Sequence, residues 1–168
     1  MGKKLRGGIA LLAQLIVLLA LVAAFFMRIY PVLGPSMEPQ FSSGEYVVIN
    51  TVAYRFAGPQ HGDIVAFLHR SEGAEQTFIK RVIGLPGDRI SIEQGHVMVN
   101  GAPLQEPYVL HHDTHSMSQI IVAPGQLFVL GDNRPDSEDS RVFGPIAESD
   151  IVGRAIAIVW PLSRATRL

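Results

Sequence analysis

Two hydrophobic patterns divide the chain. Residues 7–27 are a run of 21 without a charge, rich in leucine, alanine, isoleucine and valine. As a helix they would rise ~31 Å at about 1.5 Å per residue, the hydrocarbon thickness of a bilayer. From residue 45 onward the pattern shortens and becomes β-like. The runs 46–50, 63–68, 77–83, 89–93, 96–100, 119–122, 127–130 and 155–160 are rich in β-branched and aromatic residues, with turn signals between them. Asn100-Gly101 is a hairpin turn signal, and Glu93-Gln94-Gly95 marks another turn. No long helical period, fixed repeat or low-complexity tract follows the first run. The expected fold is one all-β unit of antiparallel sheets, two packed sheets or a distorted barrel, preceded by one N-terminal transmembrane helix.

Charge orients this arrangement. Residues 1–28 contain Lys3, Lys4, Arg6 and Arg28 and no acid; the rest of the chain holds ten basic and fifteen acidic residues. The positive-inside rule keeps residues 1–6 in the cytoplasm, lets 7–27 span the membrane, and puts residues 28–35 outside as a tether to a β-domain over 36–168. A cleaved signal peptide has an apolar core of about 7–15 residues, shorter than this run, so an uncleaved anchor is the better reading. The acidic balance beyond the anchor argues against a nucleic-acid partner. The chain has no cysteine, which excludes disulfides, thiolate metal sites and a cysteine nucleophile.

Within residues 78–88 a lysine interrupts a strand pattern. Period two puts Phe78, Lys80 and Val82 on one face and Ile79, Arg81 and Ile83 on the other. A lysine on an apolar face loses hydration, its pKa falls, and its neutral amine becomes a general base. The plainer reading is a charged strand edge that deters aggregation. The matching nucleophile is Ser36, in Gly34-Pro35-Ser36-Met37-Glu38-Pro39, where two prolines stiffen the backbone around the hydroxyl. By itself this is also an ordinary proline-rich turn. The polar stretch 131–141 follows an apolar run. It fails the calcium-loop pattern, since Arg134 and Ser137 stand where a ligand and a glycine belong. His111, His112 and His115 cluster without the glutamate of a zinc motif, and a surface loop is the default for them. No cofactor or metal site is expected.

Together these blocks resemble the type I signal peptidases, membrane-bound Ser–Lys proteases that remove signal peptides from exported proteins. The resemblance covers residues 34–41, 62–67 (G-D-I-V-A-F), 78–88, 122–146 and 153–162, in the family's order. It implies that Ser36 is the nucleophile and that Lys80 is the general base for acylation and deacylation. It also implies that Ser137 orients the amine, that Asp132 pairs with Arg81, and that Asp139 pairs with Arg141. The implied partners are signal peptides with small residues at the first and third positions before the cut, together with membrane lipid. The implied location is the cytoplasmic membrane, with the β-domain on its outer side. Two departures stand out. Gly34 occupies a position where some members carry a serine of the oxyanion hole, and Gln40-Phe41 replaces the usual Thr-Leu. Three alternatives remain at this level: an anchored β-domain that only binds exported chains, a repressor-type autoprotease, and a specialised relative that trims pilins or conjugation proteins.

Overall fold

The computed structural model describes residues 2–71 and 73–168, with the side chains at residues 2–7, 10 and 23 outside the described set. Helix α1 spans Gly2–Phe26. Among the described residues twelve strands follow: β1 (Met27–Pro31), β2 (Tyr46–Asn50), β3 (Ile64–Ser71), β4 (Ala74–Gly84), β5 (Arg89–Glu93), β6 (His96–Val99), β7 (Ala102–Pro103), β8 (Met117–Ile121), β9 (Gln126–Leu130), β10 (Ile146–Ala147), β11 (Ile151–Trp160) and β12 (Thr166–Arg167). A four-residue helix, α2 (Ser140–Phe143), precedes β10.

The larger sheet has the order β1-β2-β11-β3-β4-β9-β10, with β12 on β11; the smaller has the order β7-β6-β5-β8. Every pairing is antiparallel. The predicted turn at residues 100–101 closes the β6–β7 hairpin with φ of 54° at Asn100 and 83° at Gly101, a backbone that asparagine and glycine tolerate.

Strand β4 ties the core together. Its Phe78 and Val82 pack with Val65, Phe67, Leu127 and Val129, Ile79 packs against the cluster of Val32, Met37, Phe41 and Ile49, and Ile83 joins Ile90, Val97 and Phe128 under the smaller sheet. This is the alternation that the sequence predicts, and Lys80 therefore shares the Phe78–Val82 face.

Two observations concern the N-terminal region. Of residues 28–35, expected as a tether, the first four are sheet: β1 pairs with β2 along its whole length, from Met27 opposite Asn50 to Pro31 opposite Tyr46. Arg28 and Pro31 hid it, because an edge strand held by backbone pairing needs no apolar alternation. Among the described residues, no helix is long and apolar enough to cross a membrane. In α1 the longest stretch of described side chains is 11–22, and the basic side chains of Lys3, Lys4 and Arg6 lie outside the described residues. The exposed side chains in α1 include Leu11, Leu12, Leu15, Ile16, Leu18 and Leu19.

Candidate active site

Ser36 sits in a turn that is fixed from both sides. Met37 and Phe41, just beyond it, are buried in the core. The Phe41 N–H donates to the Met37 carbonyl at 2.8 Å and the Glu38 N–H to the Pro35 carbonyl at 2.9 Å. Across the turn, the Asn133 N–H donates to the Ser36 carbonyl at 3.1 Å, and Asn133 Nδ2 reaches the Pro35 carbonyl at 3.3 Å. The nucleophile candidate is thus held by its backbone, while its side chain faces Lys80.

Lys80 Nζ lies 2.7 Å from Ser36 Oγ, 44 residues away in the chain. The charged amine donates in this contact; the neutral amine accepts the serine hydroxyl proton. The lysine is 4% exposed, and its Nζ stands 5.4 Å from the centre of the Phe78 ring. Burial lowers the amine's pKa to about 8, against the opposing pull of Asp139, Glu138 and Asp132, while Arg141 lowers it further.

The carboxylates near the amine are themselves engaged, because arginines hold two of them. Asp139 accepts from Arg141 Nε and Nη2, both at 2.8 Å, from the Gly131 N–H at 3.0 Å and from Ser137 Oγ at 2.7 Å. Burial pushes its carboxyl up, but these donors outweigh burial and hold it below the usual carboxylate range. Asp139 also caps α2 through the Arg141 N–H. Asp132 receives Arg81 Nε at 2.8 Å and Nη2 at 2.6 Å, and Arg81 Nη1 donates to the Gly62 carbonyl at 3.0 Å. The Arg81–Asp132 and Arg141–Asp139 contacts are therefore both present. Ser137 differs from expectation: its hydroxyl donates to Asp139, with no hydrogen bond to Lys80 among the described contacts.

Several residues escaped the sequence reading. A Cβ on Gly131 would meet Ser137 Oγ at 2.2 Å and the Ser36 carbonyl oxygen at 2.5 Å, so only glycine lets this loop close on the Ser36 turn. Arg134 is buried, forms an ion pair with Glu106 and donates to the Gly131 carbonyl at 3.1 Å. Asp113 pairs with Arg141, and Tyr108 stacks on Arg81 at 4.0 Å. The one trace in the sequence is a shared interval: seven positions separate Glu106 from Asp113 and also Arg134 from Arg141. His111, His112 and His115 are exposed.

A cleft of about 550 Å³ opens on Ser36 and Lys80, lined on one side by residues 30–37 and on the other by residues 76–80, with Asp136 and Glu138 at its rim. Strand β9 pairs with β4 only at Arg81, Val82 and Gly84. The earlier part of β4 therefore borders the cleft as a free edge.

The family described as "Signal peptidase, peptidase S26" matches residues 5–160. The chain belongs to this signal peptidase family. It is 39% identical over 162 residues to a probable signal peptidase I-1 of Synechocystis, covering 91% of this chain and 82% of that one. It is 34% identical to signal peptidase IB of Staphylococcus aureus, covering 97% of this chain and 93% of the relative. A crystal structure of a signal peptidase I from Enterococcus faecalis V583 superposes with a TM-score of 0.51 at 33% identity, covering 57% of this chain and 95% of its own. The protein is accordingly a serine protease that removes signal peptides from exported preproteins.

If the buried amine of Lys80 serves as the base, the charges at the cleft rim tune the pH response. Glu138 is exposed and raises the Lys80 pKa. Glu138→Gln should lower it. The acid limb of kcat/KM against pH should then move to lower pH, by roughly half a unit or less because solvent screens an exposed charge. An unmoved or raised limb contradicts this.

Proposed function

We propose that Ser36 attacks the scissile carbonyl and that Lys80 is the general base. The observation that carries this reading is the 2.7 Å contact between a buried amine and the hydroxyl. The neutral amine takes the Ser36 proton as Oγ attacks, and the resulting ammonium gives it to the departing amine. The acyl-enzyme is then hydrolysed by a water that the same amine deprotonates. In the tetrahedral intermediate the Ser36 N–H faces the oxyanion as one donor. The Gly34 N–H is already engaged, donating to Ser43 Oγ at 3.3 Å.

The substrate binds extended, adding its backbone to the free edge of β4. Val32, Met37 and Ile79 give the cleft an apolar floor beside Tyr30 and Phe78. Such a shallow floor suits small side chains at the first and third positions before the cut. A bound peptide also covers the dyad and deepens the desolvation of Lys80.

Helix α1 is the membrane anchor in this reading. Its 25 residues rise ~37 Å. The leucine, isoleucine and valine side chains it exposes need an apolar surrounding, and Lys3, Lys4 and Arg6 fix its N-terminus in the cytoplasm. Thr51 ties the β-domain to the helix end: its N–H and Oγ1 both donate to the Phe26 carbonyl at 3.0 Å. The site then stands outside the cytoplasmic membrane, close to where a signal peptide leaves the bilayer, which raises the effective concentration of both partners.

The test is cleavage of a preprotein by the full chain in vesicles. Ser36→Ala should leave the precursor intact while keeping the wild-type melting temperature. Near wild-type turnover in that variant ends the reading.

A further inference from the structure

The smaller sheet meets the loop 131–141 along a seam that the Ser36–Lys80 chemistry does not by itself require. Between β7 and β8, residues 104–116 leave their sheet and run beside this loop. Glu106 pairs with Arg134 through both carboxylate oxygens, and the two side chains are 3% and 2% exposed. Asp113 pairs with Arg141. Both pairs are separated by 28 residues, so the two segments lie side by side and run in the same direction. Between them Tyr108 donates its hydroxyl to Glu106 Oε1 at 3.2 Å and lays its ring on the Arg81 guanidinium. The far end is pinned to the β5–β6 turn, where the Gly95 N–H donates to the His115 carbonyl at 2.8 Å and the Gln94 N–H to Ser116 Oγ at 3.1 Å.

Each arginine continues from this seam into the site. Arg134 Nε holds the Gly131 carbonyl at 3.1 Å, and Asn133, two residues on, holds the Ser36 carbonyl. Arg141 Nη2 donates to the Arg134 carbonyl at 2.7 Å and to Asp139 at 2.8 Å, and Asp139 receives the Gly131 N–H. A guanidinium buried without its carboxylate is strongly disfavoured, so an Arg134 deprived of Glu106 would turn toward water and release Gly131. The charged groups that face Lys80 are Asp132, Glu138, Asp139 and Arg141, all from the loop. Glu106 and Asp113 act on it only through the arginines.

We propose that residues 104–116 are a clamp that sets both the position and the dryness of the Ser36–Lys80 pair, with Glu106 and Asp113 as positioning residues for signal-peptide removal. The proposal rests on the assignment of Ser36 and Lys80 as the dyad.

The experiment compares the full chain in detergent with Glu106→Gln, Asp113→Asn and Ser36→Ala, using a preprotein substrate. The readouts are kcat, KM, melting temperature and the pH profile. A misplacement of a fraction of an ångström should lower kcat about tenfold in each clamp variant, with KM within about twofold. Loosening admits water to Lys80, so the acid limb should move to higher pH. Losing a negative charge by itself would move that limb to lower pH, so the direction separates positioning from simple electrostatics. A limb that stays or falls, or a loss of kcat that only tracks the unfolded fraction, overturns the clamp. If Glu106→Gln does not fold, Tyr108→Phe carries the same readouts with a smaller effect, since it keeps the ring on Arg81 and removes only the hydroxyl. An active Ser36→Ala overturns the dyad. An inactive Ser36→Ala beside clamp variants of wild-type kcat and pH profile overturns the clamp alone.

Discussion

Lys80→Met should abolish preprotein cleavage and make the protein more stable at pH 7. The activity loss should reach about 10⁴-fold or more, the scale on which removing a group that acts as a unit with the nucleophile registers. Combining it with Ser36→Ala should add little further loss, because either change alone disables the same step. Lys80→Arg should be equally inactive, since a guanidinium does not give up its proton in this range. The stability gain follows from the burial of the amine. Its pKa is about 8 in the folded protein and 10.5 when free. The difference corresponds to about 3 kcal/mol of disfavoured charge burial. Below pH 8 both folded and unfolded chains carry the proton, and the fold bears this cost in full. Between pH 8 and 10.5 the folded state releases the proton first, so stability climbs with pH. Methionine fills similar space without a charge and should melt several degrees higher at pH 7, with the gap closing above about pH 10.5. Thermal melts at pH 7 and pH 10.5 read this directly. A Lys80→Met variant that melts lower than wild type at pH 7, or still cleaves, contradicts a buried, functional amine.

What the sequence made legible depended on how local each signal was. The strands that alternate or run apolar, such as Tyr46–Asn50 and Arg89–Glu93, were found with their boundaries. Strand β4 was also found, along with the facing of Lys80 beside Phe78. Strand β1 and the two-residue strands β7, β10 and β12 were missed, because pairing with a neighbour defines them and their own patterns do not. The contacts around the site divide in the same way. Ser36 and Lys80 drew notice because a proline-framed serine and a lysine on an apolar strand are locally unusual. Glu106, Tyr108 and Asp113 lie in a polar loop where acids are commonplace, and only the fold brings the two acids to arginines 28 residues further on and Tyr108 to Arg81. Ser137 shows a third limit. Its nearness to the site could be expected, but its hydroxyl can turn either to the amine or to Asp139, and in the fold it donates to Asp139. No residue pattern encodes that.

Gly131→Ala tests how tightly the loop and the Ser36 turn are packed. The added Cβ would stand 2.5 Å from the Ser36 carbonyl oxygen, where ordinary contact begins at 3.4 Å, so one of the two backbones must yield by about 0.9 Å. Neither is free to do so. The Ser36 carbonyl is held by the Asn133 N–H, and Gly131 is held at its N–H by Asp139 and at its carbonyl by Arg134. A displacement of about 1 Å at a reacting group costs on the order of 100-fold in rate. Overpacking of this kind costs roughly 1–3 kcal/mol in stability. Both losses are therefore expected, with KM changed less than kcat, because the atoms nearest the added methyl belong to Ser137 and Ser36 and not to the cleft floor at Val32 and Ile79. Adding Ser137→Gly to Gly131→Ala separates the two effects. That change removes Ser137 Oγ at 2.2 Å and Ser137 Cβ at 2.6 Å from the crowded space but leaves the Ser36 carbonyl where it was. Stability should return in part while kcat stays low. Full recovery of kcat in the double variant would mean that the Ser36 turn tolerates displacement, and that the close approach of Gly131 serves packing without holding Ser36 in place.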